Sequence, residues 1–167
     1  MDRKTMEETA RHAGEINVDG LHCSECVMIA LSPVLLPGLD ERAVKMATPF
    51  GGGIGLTHED LCGAYTAGLM LIGGVHGRTG TAVDDALCQG LALEFRKFFM
   101  DDLGHVVCSN LRQHWGAAHG RPCAILIERA SLRLLEILEE AKDPARAEAV
   151  AAPVRAGAHY HPPVVKK

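Results

Sequence analysis

The chain has 167 residues, 47% hydrophobic and 23% charged, which predicts one globular domain with a substantial core. Its net charge of −4 gives no electrostatic basis for binding nucleic acid, and no apolar run is long enough to span a membrane. The first 15 residues are charged and lack the apolar segment of a secretory signal, so we expect a cytoplasmic location. In that reducing compartment, six cysteines indicate metal binding or redox chemistry rather than structural disulfides.

Helical periodicity predicts an all-α, single-domain bundle of about six helices, and no segment has a strand pattern. The predicted helical segments, short ones included, cover residues 2–14, 24–36, 39–48, 58–75, 82–101, 106–115 and 122–142. Small residues recur four apart in the segment from residue 58: Gly63 with Ala67, and Ala64 with Gly68. This spacing lets another helix approach closely, so we expect that helix to be central. The helical, cysteine-rich domain covers residues 1–142, and the Ala-, Pro-, Arg- and His-rich segment 143–167 is expected to be a mobile tail.

A glycine-rich loop precedes the helix that is predicted to start in the capping-box-like segment 57–60. The candidate cofactor-binding residues in this loop are Gly51, Gly52, Gly53 and Gly55. The loop lacks the Lys and Ser/Thr of a P-loop, and no strand precedes it, so a phosphate site is not expected. We expect its backbone to approach a thiolate or sulfide and to donate hydrogen bonds, with a flexible turn as the alternative interpretation.

Four cysteines share a position after a loop, most of them near a predicted helix start: Cys26, Cys62, Cys108 and Cys123. The positive end of a helix dipole stabilises a thiolate, which is both the metal ligand and the redox nucleophile. These four are the candidate metal ligands, and Cys23, which forms a C-x-x-C with Cys26, is a possible substitute. Cys88 falls in the middle of a helix and is expected to pack. His58 precedes Cys62 by one helical turn, so mixed Cys/His ligation stays open.

The order of these motifs resembles that of the C-GCAxxG-C-C family, which is described as redox-active. The matching segments are Glu25-Cys26, the loop from Phe50 to Gly55, Cys62-Gly63-Ala64 with Gly68, Cys108 and Cys123. The resemblance covers roughly residues 20–140. The chain is also similar to the non-haem domain of split-Soret cytochrome c, a dimeric iron–sulfur protein. These resemblances imply an all-α fold, a homodimer and an iron–sulfur cluster, whereas the absence of a C-x-x-C-H motif leaves haem out.

Three functions are consistent with the sequence. The first is a redox or electron-transfer protein in which four dispersed cysteines hold an iron–sulfur cluster, most simply [2Fe–2S]. Such a protein exchanges electrons with a redox partner, which the sequence does not identify. The second is a metal-free thiol–disulfide protein using Cys23 with Cys26, or Cys108 with Cys123. The third is a zinc or copper module with Cys and His ligands. No acid–base pair or nucleophile triad indicates a particular enzyme.

Overall fold

The computed structural model describes residues 1–116 and 122–157, without the side chains of Val18 and Pro122. Its α-helices are α1 (Arg3–Glu15), α2 (Cys23–Leu35), α3 (Glu41–Lys45), α4 (Gly63–His76), α5 (Ala86–Asp101), α6 (Cys108–Gly116), α7 (Pro122–Glu140) and α8 (Pro144–Arg155). Two 3-10 turns, Ile16–Asp19 and Thr48–Phe50, complete the regular structure of these residues, which contain no strand. The predicted all-α, single-domain class is confirmed, although the described residues form eight α-helices rather than about six. No helix among them has the length and apolar character needed to cross a bilayer.

Helix α4 lies at the centre of the bundle, in contact with α2, α5 and α7. Its small residues bring these neighbours close, because Ala64 and Ala67 are fully buried and a Cβ on Gly68 would overlap the Phe95 ring. Phe95 in turn packs edge-on against Phe99, with ring centroids 5.2 Å apart. The few aromatic side chains are therefore concentrated where α4 and α5 meet, and aliphatic side chains fill most of the remaining core.

The segment before α4 differs from the prediction. Thr57–Asp60 does not start a helix; α4 begins at Gly63, and Cys62 occupies the N-cap position. Five consecutive residues adopt left-handed backbone conformations with φ between 58° and 67°: Gly52, Gly53, Ile54, Gly55 and Leu56. A left-handed turn cannot continue into a right-handed α-helix without a break, so the helix starts later than the capping-box pattern suggests.

Residues 144–155, which belong to the segment expected to be a tail, form α8. Asp143 caps this helix by accepting a hydrogen bond from the Ala145 N–H at 3.1 Å, and Pro144 takes the favourable first position. Helix α8 packs on α5, and the Arg155 guanidinium donates to the Asp84 carboxylate at 2.7 Å. The alanine-rich segment therefore gains its stability from packing and capping rather than from an apolar periodicity of its own. The rest of the predicted tail, from residue 158, lies outside the described residues.

Candidate functional site

Four of the six cysteines line a single cavity of about 210 Å³. They are Cys23, Cys62, Cys108 and Cys123, and we call this cavity the thiol pocket. Its apolar lining comes from Leu21, Leu56, Leu111, Leu126 and Ile127, and its polar lining from Asn17, His22, His58 and Arg112. Residues far apart in the sequence thus contribute sulfur to one partly apolar site.

Each pocket cysteine stands at the N-terminal end of a different helix. Cys23 is the first residue of α2, Cys62 is the N-cap of α4, Cys108 opens α6, and Cys123 is the second residue of α7. The positive ends of four helix dipoles therefore point towards the same region, which favours negative charge there. This arrangement is suited to thiolates, or to an anionic group that they hold.

The start of α2 is fixed by a reciprocal cap that connects it to the glycine-rich loop. The Glu25 carboxylate accepts from the backbone N–H of His22 at 2.8 Å, completing a capping box. Its other oxygen accepts from the Thr48 hydroxyl at 2.7 Å. Because Thr48 lies just before the loop, this one carboxylate sets Cys23 in position against the loop.

Backbone pairing brings Cys62 and Cys108 to the same wall of the pocket. The Cys62 N–H donates to the Val106 carbonyl, and the Cys108 N–H donates to the Asp60 carbonyl, both at 2.8 Å. An isolated antiparallel bridge between Leu61 and Val107 lies between these two bonds. The short ladder accounts for the meeting of two cysteines that are 46 residues apart.

Glycines allow the backbone to pass close to the sulfur atoms. A Cβ on Gly63 would overlap the Cys23 Sγ, and a Cβ on Gly53 would lie 2.8 Å from the Cβ of Cys108. Gly52 lines the pocket, and its N–H donates to the Cys23 sulfur. Gly51 packs against the His22 side chain, whereas a side chain on Gly55 would point into open space.

Cys23 and Cys62 form a hydrogen-bonded pair. The Cys62 thiol donates to the Cys23 sulfur, which lowers the pKa of Cys23 and raises that of Cys62 well above its ordinary value. Backbone N–H groups of Gly52, Gly63 and Ser24 also donate to Cys23 and oppose the effect of burial on it. The hydrogen bond therefore favours the thiolate on Cys23 and the thiol on Cys62.

The other two pocket cysteines remain protonated in the absence of a bound cation. Burial, with a smaller contribution from the charge on Cys23, raises the pKa of Cys108 to about 11. Burial raises the pKa of Cys123 in the same way, with a second contribution from Cys23. Arg112 lowers the pKa of both, which places a positive charge within electrostatic reach of the two thiols.

His58 and Arg112 extend the site from Cys108 towards the solvent. The His58 Nδ1 lies 3.5 Å from the Cys108 Sγ, and the Arg112 Nη1 lies 2.8 Å from the His58 Nε2. The sequence spacing connected His58 with Cys62, whereas in the structure the imidazole contacts the cysteine of another segment. No sequence pattern singles out Arg112, because one basic residue on an exposed helix face is common.

A family model described as "Putative redox-active protein (C_GCAxxG_C_C)" matches residues 21–137, a range that contains all four pocket cysteines. The chain belongs to the C_GCAxxG_C_C family. No curated protein and no solved structure matches the chain, so the expected similarity to split-Soret cytochrome c is not shown.

The C_GCAxxG_C_C pattern contains one cysteine ahead of the GCA element, and α2 offers two residues for that place. Cys23 lines the pocket, whereas Cys26 does not. Cys26 is fully buried, its Sγ lies 3.7 Å from the Leu21 carbonyl oxygen, and burial raises its pKa to about 11. The sequence signal for this core position is the i, i+4 spacing of Cys26 and Ala30, which places both on one face of α2.

The sixth cysteine, Cys88, lies half-buried on α5, away from the pocket lining.

The pocket cysteines are grouped more loosely than the ligands of a single metal ion. Among residues 1–116 and 122–157, no three Cys, His, Asp or Glu side chains are arranged closely enough to hold an ion. The sulfurs of a tetrahedral zinc site must all lie about 2.3 Å from one atom. The thiol pocket therefore provides four donors around a cavity rather than a preformed mononuclear site.

Proposed function

We propose that this protein is a redox protein that holds an iron–sulfur cluster, [2Fe–2S] in preference, in the thiol pocket. One observation carries the proposal: four thiols from four helices line the same cavity. Four cysteine thiolates are the usual ligand set of such a cluster, which supplies one-electron redox chemistry when bound. The proposed ligands are Cys23, Cys62, Cys108 and Cys123, so Cys23 takes the place that the sequence assigned to Cys26.

The loose grouping of the sulfurs favours a cluster over a single ion. A cluster with two iron atoms divides its four thiolates between them, so its ligands need not converge on one point. The absence of a mononuclear arrangement in the described residues therefore argues against zinc or copper.

The surroundings of the sulfurs suit a negatively charged group. The N–H groups of Gly52 and Gly63 donate to the Cys23 sulfur, and hydrogen bonds to cluster sulfur shift the reduction potential. Arg112 supplies a positive charge near Cys108 and Cys123. Leucine side chains in the lining limit the access of water, which is a further control on the potential.

The role that follows from these features is electron transfer or redox sensing in the cytoplasm, with a redox partner as the source or acceptor of electrons. Buried thiols with raised pKa must lose their protons to bind metal, so loading of the pocket releases protons. The reducing cytoplasm keeps these thiols available.

Anaerobic purification and reconstitution test the proposal. We expect iron and acid-labile sulfide in equal amounts, with visible absorption that bleaches on reduction. Stoichiometric zinc or copper without sulfide would support the mononuclear alternative. Protein that stays colourless and free of metal after anaerobic reconstitution would contradict the cluster and leave thiol–disulfide chemistry as the redox function.

A further inference from the structure

We propose that Cys23 and Cys62 close to a disulfide when the pocket holds no cluster, so that oxidation of this pair controls cluster loading. Both sulfurs line the thiol pocket, and the Cys23 Sγ lies against Gly63, the residue that follows Cys62. A hydrogen bond from the Cys62 thiol to the Cys23 sulfur joins the two side chains. This pair differs from both pairings that the sequence suggested, Cys23 with Cys26 and Cys108 with Cys123. The inference rests on the proposed function only in its consequence for cluster loading.

The packing around the pair keeps the two sulfurs together. Gly63 follows Cys62 directly, and a Cβ on this residue would overlap the Cys23 Sγ. The same Cβ would lie 2.9 Å from the Ser24 nitrogen and 2.9 Å from the Phe50 carbonyl oxygen, so the starts of α2 and α4 meet without intervening side-chain atoms. A disulfide needs two Cα atoms within about 7 Å of each other, a separation that such close backbone contact favours.

Two other cysteines, Cys26 and Cys108, are less suited to react with Cys23. Cys26 is directed towards the Leu21 carbonyl, away from the pocket, although it lies only three residues along the helix. Cys108 contacts the His58 imidazole instead. Cys62 is therefore the favoured partner, and the cavity gives a small oxidant access to both sulfurs.

Hydrogen peroxide is an oxidant of the required class, and the reaction with it balances. The Cys23 thiolate, having given its proton to solvent, attacks one peroxide oxygen and the O–O bond breaks. The departing hydroxide takes up one proton from solvent, which yields a sulfenic acid on Cys23 and one water. The Cys62 sulfur then attacks the Cys23 sulfur, the S–O bond breaks, and the hydroxyl leaves as a second water with the proton from Cys62. Two thiols lose two electrons and two protons in total, and one peroxide becomes two waters.

The disulfide and the cluster exclude each other because they use the same two sulfurs. A cell under oxidative stress would hold the protein in the disulfide form, and a thiol reductant would return the pocket to a state that accepts the cluster. Two of the proposed cluster ligands, Cys23 and Cys62, would therefore also be the redox-sensing residues.

Peptide mapping of cluster-free full-length protein tests the disulfide. The protein is treated anaerobically with hydrogen peroxide, its remaining thiols are blocked with N-ethylmaleimide, and it is cut with trypsin and a glutamyl endopeptidase. Cleavage after Glu25 separates Cys23 from Cys26. We expect peptide 16–25 to be linked to peptide 60–78, which carries Cys62, and we expect the same link in Cys26→Ala.

Cluster reconstitution of the oxidised protein tests the control. We expect the peroxide-treated protein to take up at least about tenfold less iron and sulfide than the reduced protein, and dithiothreitol to restore uptake. If the reduced protein loads a cluster and peroxide produces no 16–25/60–78 link, the inference is wrong and the proposed function stands. If the link forms but even the reduced protein takes up no cluster, the disulfide stands, whereas the proposed function and its control by oxidation fail. Cys62→Ala separates direct linkage from scrambling, because this variant should stop at a sulfenic acid that a dimedone probe labels.

Discussion

Substitution of Gly63 by alanine tests whether close backbone contact builds the thiol pocket. The added methyl would overlap the Cys23 Sγ and press on the backbone of Ser24 and Phe50, which cannot turn aside as a side chain can. Overpacking of this kind costs about 1–3 kcal/mol, and the contact with backbone atoms favours the upper end. In a helix interior alanine gains about 1 kcal/mol over glycine, and Gly63, the first residue of α4, realises only part of that gain. The expected net loss in the free energy of unfolding is therefore at least about 2 kcal/mol.

Gly73→Ala is the matched control. Gly73 lies in the same helix, and a Cβ there would meet no atom within 4 Å. This variant should gain about 0.5–1 kcal/mol from helix propensity alone. Urea unfolding of both variants measures the contrast, and a loss of about 2 kcal/mol corresponds to a midpoint about 1 M lower.

The two glycine variants should also differ in chemistry. Gly63→Ala should take up less iron and sulfide on reconstitution, because the methyl displaces Cys23, whereas Gly73→Ala should load like the wild type. If Gly63→Ala unfolds at the same urea concentration as Gly73→Ala and loads normally, the tight junction of α2 and α4 is not what positions Cys23.

Two further predictions concern the C-terminal helix and the pocket thiols. Asp143→Ala should increase hydrogen exchange of the α8 amides, because loss of the cap lowers the stability of this helix by about 1 kcal/mol. Asp143→Asn is the control, because asparagine keeps a capping side chain. Equal exchange in both variants would contradict the capping role. In cluster-free protein, iodoacetamide should modify Cys108 about 100-fold faster at about pH 9 than at about pH 7, because burial raises the pKa of this thiol to about 11. The rate at Cys23 should rise much less over this range, because its lowered pKa already favours the thiolate at the lower pH. Mass spectrometry of each peptide measures the two rates. Equal rises at Cys23 and Cys108 would contradict the assignment of the thiolate to Cys23.

The sequence carried enough information for the fold class and for the family. Apolar periodicity marks long helices such as α5 and α7 because half-buried helices repeat their contacts every three to four residues. The same reasoning failed for α8, where Ala replaces larger apolar residues and the stabilising contacts come from Asp84 and the surface of α5.

The site could be predicted only in part. Proximity to a loop and a helix start pointed to Cys62, Cys108 and Cys123, which all line the pocket. The choice between Cys23 and Cys26 depends on which side of α2 faces the glycine-rich loop, and that is decided by tertiary packing. The left-handed backbone conformation at Ile54 could not be predicted from the sequence either. A β-branched residue at φ 60° is rare, and local preferences favour other conformations.

Iron and sulfide content of two cysteine variants tests the central claim most directly, namely that the four thiols of one cavity hold one cluster. Cys23→Ala and Cys26→Ala each remove one sulfur from the same helix, three residues apart, and are reconstituted anaerobically beside the wild type. We predict that Cys26→Ala binds iron and sulfide at the wild-type ratio and that Cys23→Ala binds little of either. Equal loading of both variants, or loss of the cluster only in Cys26→Ala, would contradict the assignment of the thiol pocket as the cluster site.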